Sequence, residues 1–183
     1  SGDGFGVAFV VNGRLQSSGP LSSELGHTSI RGNRRRCECG GVGCLETLLG
    51  RRGLLRTAHH RARRKIGSWA QLTTALAGKS PPAWLRDTFS ATACVIGGVL
   101  NVTGVSKVVL VGDMLELGTG VLARMTDEIN LHALWGRFGE IRVEAAPRQR
   151  LVGLALAALD RVVLAPTPAE VSAAELERGI DVV

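Results

Sequence analysis

Val7, Ala8, Phe9, Val10 and Val11 form a short apolar run flanked by glycine, which predicts a strand over residues 7–11. Asn12 and Gly13 follow, and because both tolerate positive φ they predict a tight hairpin turn with a return strand over 14–18. The period then lengthens. Leu45, Leu48, Leu49, Leu54, Leu55 and Ala58 recur at helical spacing, with Gly50 and Gly53 as the expected breaks. Ser68 ahead of Gln71, and Ser80 ahead of Pro81, mark two helix starts, the second helix running from Pro81 to about Leu100. Its small residues Ala91, Ala93, Gly97 and Gly98 leave room for a neighbouring backbone. Residues 107–111 read as a buried strand of the parallel type, 118–131 as a helix, 140–145 as a strand and 150–163 as a further helix. Strand and helix alternate through this half, so an α/β layer fold is expected. Pro166 and Pro168 end the core, and Ser172 with Glu175 can box-cap one short helix. The expected division is a folded unit over 1–165 and a Pro-initiated tail over 166–183.

A chain of 183 residues has room for one domain with a sizeable core. No apolar run is long enough to span a bilayer, so no membrane partner is expected. The formal net charge of +6 comes largely from residues 31–65, where arginine accumulates and Lys65 is the only lysine. Such a stretch can mark a polyanion-binding face. The favoured reading is a solvated surface, because no aromatic residue interleaves the arginines for base stacking and tyrosine is absent from the chain.

His27, Cys37, Cys39 and Cys44 lie in the order H-x9-C-x-C-x4-C. Three thiols and an imidazole on a loop rich in Gly and Arg can close a tetrahedral zinc site, and four protein ligands make it structural rather than catalytic. Arg34, Arg35 and Arg36 supply a positive field that favours thiolate. The plainer reading is three reduced core cysteines beside a coincidental histidine. Reduced, metal-binding cysteines place the protein in the cytoplasm. Cys94, in an apolar stretch, is expected to pack as a small buried hydrophobe. His59, His60 and His132 read as solvent-facing helix residues.

At Glu24-Leu-Gly-His27 and at Cys37-Glu-Cys-Gly-Gly-Val-Gly-Cys-Leu-Glu46 the sequence resembles the ROK family of sugar kinases and sugar-responsive transcriptional repressors. The opening glycine loop and hairpin, and the strand at 108–111, are similar to the segments that family uses near nucleotide. The resemblance implies an actin-like ATPase, ribonuclease-H-like fold of two lobes, with this chain as the C-terminal lobe carrying a zinc-binding loop insertion. A chain that opens inside a glycine loop is expected to have lost its beginning. The resemblance further implies that His27, Cys37, Cys39 and Cys44 bind zinc, and that Glu24, His27 and Glu46 reach a sugar. The chemistry agrees with those roles. Carboxylates accept hydrogen bonds from vicinal hydroxyls, and a histidine bound to metal through one nitrogen can donate from the other.

Kinases of this family take the sugar proton with the Asp of an Asn-Asp pair, and this chain has no Asn-Asp dipeptide. Where such kinases carry Gly-Thr-Gly this sequence reads Gly2-Asp3-Gly4, and where a Gly-Gly pair is usual it reads Gly112-Asp113. A carboxylate beside a polyphosphate opposes binding, so ATP is not expected. The favoured expectation is therefore the sugar-sensing lobe of a homodimeric transcriptional regulator that reaches DNA only through a helix-turn-helix domain absent from this chain. The alternatives are the C-terminal lobe of an ATP-dependent sugar kinase of the hexokinase or glucokinase type, and a zinc knuckle that holds nucleic acid through the arginines.

Overall fold

The computed structural model describes residues 4–11, 14–16, 24–61, 66–139, 141–147 and 149. The chain divides into two compact units, Ser1–Ala146 and Pro147–Val183, and all but two residues of the second lie outside the described set. The expected helix over 150–163, the proline pair and the Ser172–Glu175 cap therefore fall outside the described residues, as do Asp3 and the Asn12-Gly13 turn.

The first unit opens with an antiparallel hairpin, β1 (Phe9–Val11) and β2 (Arg14–Gln16), in which Phe9 faces Gln16 and Val11 faces Arg14. A 3-10 turn at Leu25–His27 leads into the cysteine loop. Helices α1 (Glu46–Leu49), α2 (Arg51–Arg61), α3 (Trp69–Leu76) and α4 (Ala83–Thr103) follow. Strand β3 (Lys107–Val111), a 3-10 turn at Asp113–Glu116, helices α5 (Val121–His132) and α6 (Leu134–Phe138) and strand β4 (Arg142–Ala146) complete it. β3 and β4 are parallel, registered from Lys107 opposite Arg142 to Val111 opposite Ala146, so β3–α5–α6–β4 is the expected strand-helix-strand unit.

Local chemistry explains most boundaries. Ser68 accepts a hydrogen bond from the Gln71 N–H at 3.2 Å, and the Gln71 side chain accepts from the Gly67 N–H at 2.9 Å, so α3 starts where its cap predicts. α4 begins two residues later than expected. Pro82 is its cap, because a residue that precedes proline is pushed to extended backbone and Pro81 cannot open the helix. Gly104, at φ 69°, closes α4 in the left-handed conformation that glycine adopts without steric cost. Gly50 separates α1 from α2 as expected, whereas Gly53 lies inside α2. A Cβ there would stand 2.3 Å from the Thr47 carbonyl oxygen, so Gly53 serves close approach rather than a break.

The core is helical. Leu85, Phe89, Ala93, Ile96 and Leu100 of α4 are buried against Val121, Met125 and Ile129 of α5, with Leu45, Leu54, Leu72, Leu117 and Ile141 completing the apolar cluster. Gly97 allows α4 and α5 to touch, since a Cβ there would lie 2.7 Å from the His132 Cβ. The side chain of the small helical residue Cys94, expected inside, is exposed. The apolar run around it conceals the phase of the helix, whose buried face is set by Phe89, Ala93, Ile96 and Leu100, and Cys94 lies off that face. His59 and His60 face solvent as expected, but His132 is half-buried, with Nε2 4.0 Å from a Glu128 carboxylate oxygen. β3 is also less buried than its Val-rich run suggests: Leu110 is buried, while Val109 and Val111 are about half exposed. Among the described residues its sheet has two strands, too few to cover both faces of β3.

Candidate metal centre

The cysteine loop is a narrow antiparallel ribbon folded back on itself. Isolated bridges join Ser29 to Cys44 and Arg36 to Val42. The Ile30 N–H donates to the Gly43 carbonyl at 2.8 Å, the Gly43 N–H to the Arg35 carbonyl at 2.9 Å, and the Cys37 N–H to the Gly41 carbonyl at 2.9 Å. The ribbon returns at Gly40 and Gly43, whose φ values of 89° and 88° favour glycine over L side chains. At Gly43 a Cβ would also meet the Asn33 carbonyl oxygen at 2.8 Å.

Two residues that the motif does not mark brace this ribbon against the helices. Asn33 donates through Nδ2 to the Cys44 carbonyl at 3.1 Å and to Thr47 Oγ1 at 2.9 Å, and its Oδ1 accepts from the Arg35 N–H at 3.2 Å. Arg35 reaches across to donate to the Thr47 carbonyl at 2.7 Å and to Thr57 Oγ1 at 2.8 Å. Burial first, and then the charge of Arg56, lower the Arg35 pKa from its ordinary value. Asn and Arg carry no signal of such roles in sequence, because the carbonyls and threonine hydroxyls they donate to are brought near only by folding.

The ribbon gathers the four expected ligands. One donor atom from each of His27, Cys37, Cys39 and Cys44 lies within 4.8 Å of every other, an arrangement able to hold a metal ion. His27 Nδ1 stands 3.6 Å from Cys37 Sγ, and Cys39 Sγ stands 3.7 Å from Cys44 Sγ. The thiols differ in environment. Cys39 is exposed, and its pKa is lowered first by the Gly41 N–H, which lies 3.4 Å from the sulfur, and then by the Cys37 and Cys44 side chains. Burial pushes the Cys44 thiol up to about 11, with its two sulfur neighbours adding to the rise. Cys39 is thus shifted toward thiolate by its own loop, while Arg35 of the 34–36 run turns away to donate to α1 and α2.

The other two expected site residues lie beside this cluster. The second nitrogen of His27, Nε2, faces Glu24 Oε2 at 3.6 Å, and Glu24 is otherwise exposed. Metal-binding histidines commonly set a carboxylate against their free nitrogen, which fixes the ring orientation. Glu46 opens α1 and its Oε2 accepts from the Phe5 N–H at 3.1 Å. Gly26 packs on it so closely that a Cβ would sit 2.8 Å from Oε2 and 2.5 Å from the Phe5 carbonyl oxygen. Glu46 thus binds the chain before β1 to the turn that carries His27.

Asp113 follows β3, and its Oδ2 accepts from Arg51 of α2 at 2.7 Å. The Arg51 guanidinium also stacks over the Trp69 ring, 4.9 Å from its centroid. The carboxylate expected to intrude after β3 is present and held by a cation 62 residues away in sequence.

The family model described as "ROK family" matches residues 2–153. No curated protein matches the chain. Among the solved structures similar to it are three members of that family. A ROK family transcriptional regulator, a homolog of the E. coli MLC protein, is 18% identical with a TM-score of 0.65, covering 86% of this chain and 43% of its own. The ROK hexokinase from Thermus thermophilus is 22% identical with a TM-score of 0.68, covering 86% and 53%. A ROK family glucokinase from Streptomyces griseus, solved with glucose and AMPPNP, is 20% identical with a TM-score of 0.58, covering 79% and 53%. The chain therefore spans about half the length of these structures and shares their actin-like ATPase fold.

Proposed function

The chain belongs to the ROK family, and on that premise we propose that it is the zinc-containing, sugar-sensing C-terminal lobe of a ROK-type transcriptional regulator. The metal would be held by His27, Cys37, Cys39 and Cys44 and would act structurally, fixing the loop. Ideal tetrahedral bonds of about 2.3 Å to sulfur and 2.0 Å to nitrogen imply edges of roughly 3.8 Å between sulfurs and roughly 3.5 Å between sulfur and nitrogen. The separations of 3.7 Å and 3.6 Å support zinc on that ground.

Glu24 is the residue best disposed to meet a hydroxyl, being exposed and aligned by His27. His27 would then bind metal through Nδ1, the nitrogen facing Cys37, and offer Nε2 toward Glu24 and the sugar. Glu46 has one oxygen committed to Phe5, which leaves Oε1 for a ligand.

The observation that carries the regulator reading is the Arg51–Asp113 pair. A carboxylate fixed after β3, where family kinases approach nucleotide with bare backbone, favours a sugar site without a working ATP site. DNA recognition and a two-fold assembly would belong to the longer protein, in which sugar shifts the population between DNA-competent and incompetent dimers.

Calorimetry with hexoses and with magnesium-ATP on the longer protein tests this. Sugar binding that Glu24→Ala weakens about tenfold or more, with metal content unchanged, is expected, together with no ATP turnover. Turnover at an ordinary enzymatic rate would replace this reading with the kinase one.

A further inference from the structure

Arg31, Arg34, Arg35, Arg36, Arg56 and Arg61 line one open groove of about 930 Å³, whose other wall includes Trp84, Asp87 and Thr88 of α4. In sequence these arginines are scattered over a loop and a helix. Folding puts them on one trough in which Asp87 is the single carboxylate among the described lining residues. Arg35 is committed to Thr47 and Thr57, but the other five are exposed. Among the described residues the arginine ion pairs belong to Arg51, Arg52 and Arg124, so those five have no carboxylate partner there. The charge of Arg56 already disfavours the charged form of Arg35, so like charges are crowded rather than balanced. The stretch 31–65 lacks an aromatic residue, and the groove acquires one from elsewhere: Trp84, half-buried, lies on the α4 wall.

We propose that this groove binds a single-stranded nucleic acid, its phosphates on the five exposed guanidinium groups and a base on the Trp84 ring. Guanidinium pairs with phosphate oxygens through two parallel N–H donors and stays charged throughout the physiological range. An open trough of unfixed cations suits a repeating anion, whose phosphates can be met in several registers, better than a compact ligand that needs its donors held in place. Arg56 and Arg61, five residues apart on α2, are separated by about 7.5 Å along the helix axis, which spreads the charge along the trough. Stacking on Trp84 tolerates any base, so binding is independent of base sequence. This surface does not involve the metal ligands or Glu24, and it holds whichever ligand the metal loop serves.

Fluorescence anisotropy with a labelled oligothymidylate of about fifteen nucleotides, titrated with salt, tests the proposal. Affinity should fall with salt with a log–log slope of about −0.7 for each phosphate contacted. The double variant Arg56→Gln/Arg61→Gln should make that slope shallower by about one or more and weaken binding roughly tenfold at low salt. Trp84→Leu should weaken binding about fivefold or more with the slope unchanged. Circular dichroism and metal content confirm that each variant is folded, and the exposed arginine pair keeps the test valid if Trp84→Leu is not. An unchanged slope in Arg56→Gln/Arg61→Gln would overturn the proposal. So would an equal loss in Arg137→Gln/Arg142→Gln, on α6 and β4, which would assign binding to net charge alone. Saturation by inorganic triphosphate without any binding of the strand would likewise overturn it, in favour of a compact anion.

Discussion

The cysteine loop and the α4–α5 layer belong to the same compact unit, yet different forces hold them. Between residues 28 and 43 no large apolar side chain is buried; Ile30 is half-buried and Val42 is 52% exposed. The α4–α5 layer buries Leu85, Phe89, Met125 and Ile129 to 0% exposure, with Gly97 letting the helices meet. Apolar burial supplies the layer with stabilisation that the loop lacks. Order in the loop must come instead from main-chain pairing, from the Asn33 and Arg35 braces and, on the function proposed above, from a metal on the four converging side chains. The two regions should accordingly fail independently, and each failure has its own readout.

The largest effect is expected from Cys39→Ser. Structural zinc in small sites contributes an apparent ~10–16 kcal/mol of binding free energy at neutral pH, and an incomplete ligand set forfeits most of it. Metal content should fall to background, and amide exchange should accelerate through the loop while the α4 and α5 amides stay protected. Loss of protection in both regions together would show that the loop and layer are one cooperative unit. Phe89→Ala tests the other side. Truncating a fully buried phenylalanine costs about 3–5 kcal/mol, so thermal unfolding should drop sharply whether or not metal is bound.

Arg35→Ala probes the connection between the two. It removes donors from the Thr47 carbonyl and Thr57 Oγ1, and should cost about 1–3 kcal/mol in chemical denaturation. It should also weaken metal retention against a chelator, which Phe89→Ala should not do in the folded state. Ser68→Ala is the smallest change. Loss of the α3 cap should cost about 1 kcal/mol with metal affinity unaltered.

Sequence reading succeeded where a residue's role depends on neighbours a few positions away. Ser68 and Gln71 mark α3 because their bonds close within one turn, and the cysteine spacing marks four side chains that the fold does bring together, because they lie within eighteen residues. It failed for Cys94, for the half-buried His132 and for the exposed faces of β3. Those depend on which helix face meets the core and on how many strands flank β3. It also missed Asn33, Arg35 and the Arg51–Asp113 pair, since their acceptors are brought close by the fold alone. The arginine-rich stretch reads as a solvated surface, and five of its arginines in the groove are exposed; that Trp84 of a distant helix shares their groove is visible only in the fold.

The family, the strand-helix-strand order and the four candidate ligands were legible in the chain itself, because each rests on local spacing, propensity or a contiguous motif. Three-dimensional packing alone assigned Glu46 to Phe5, Asp113 to Arg51 and six arginines to one trough with Trp84. Electrostatic and hydrogen-bond partnerships act over a few ångströms of space. Sequence separation, 62 residues for Arg51 and Asp113, carries no information about that distance until the apolar layer has folded and set it.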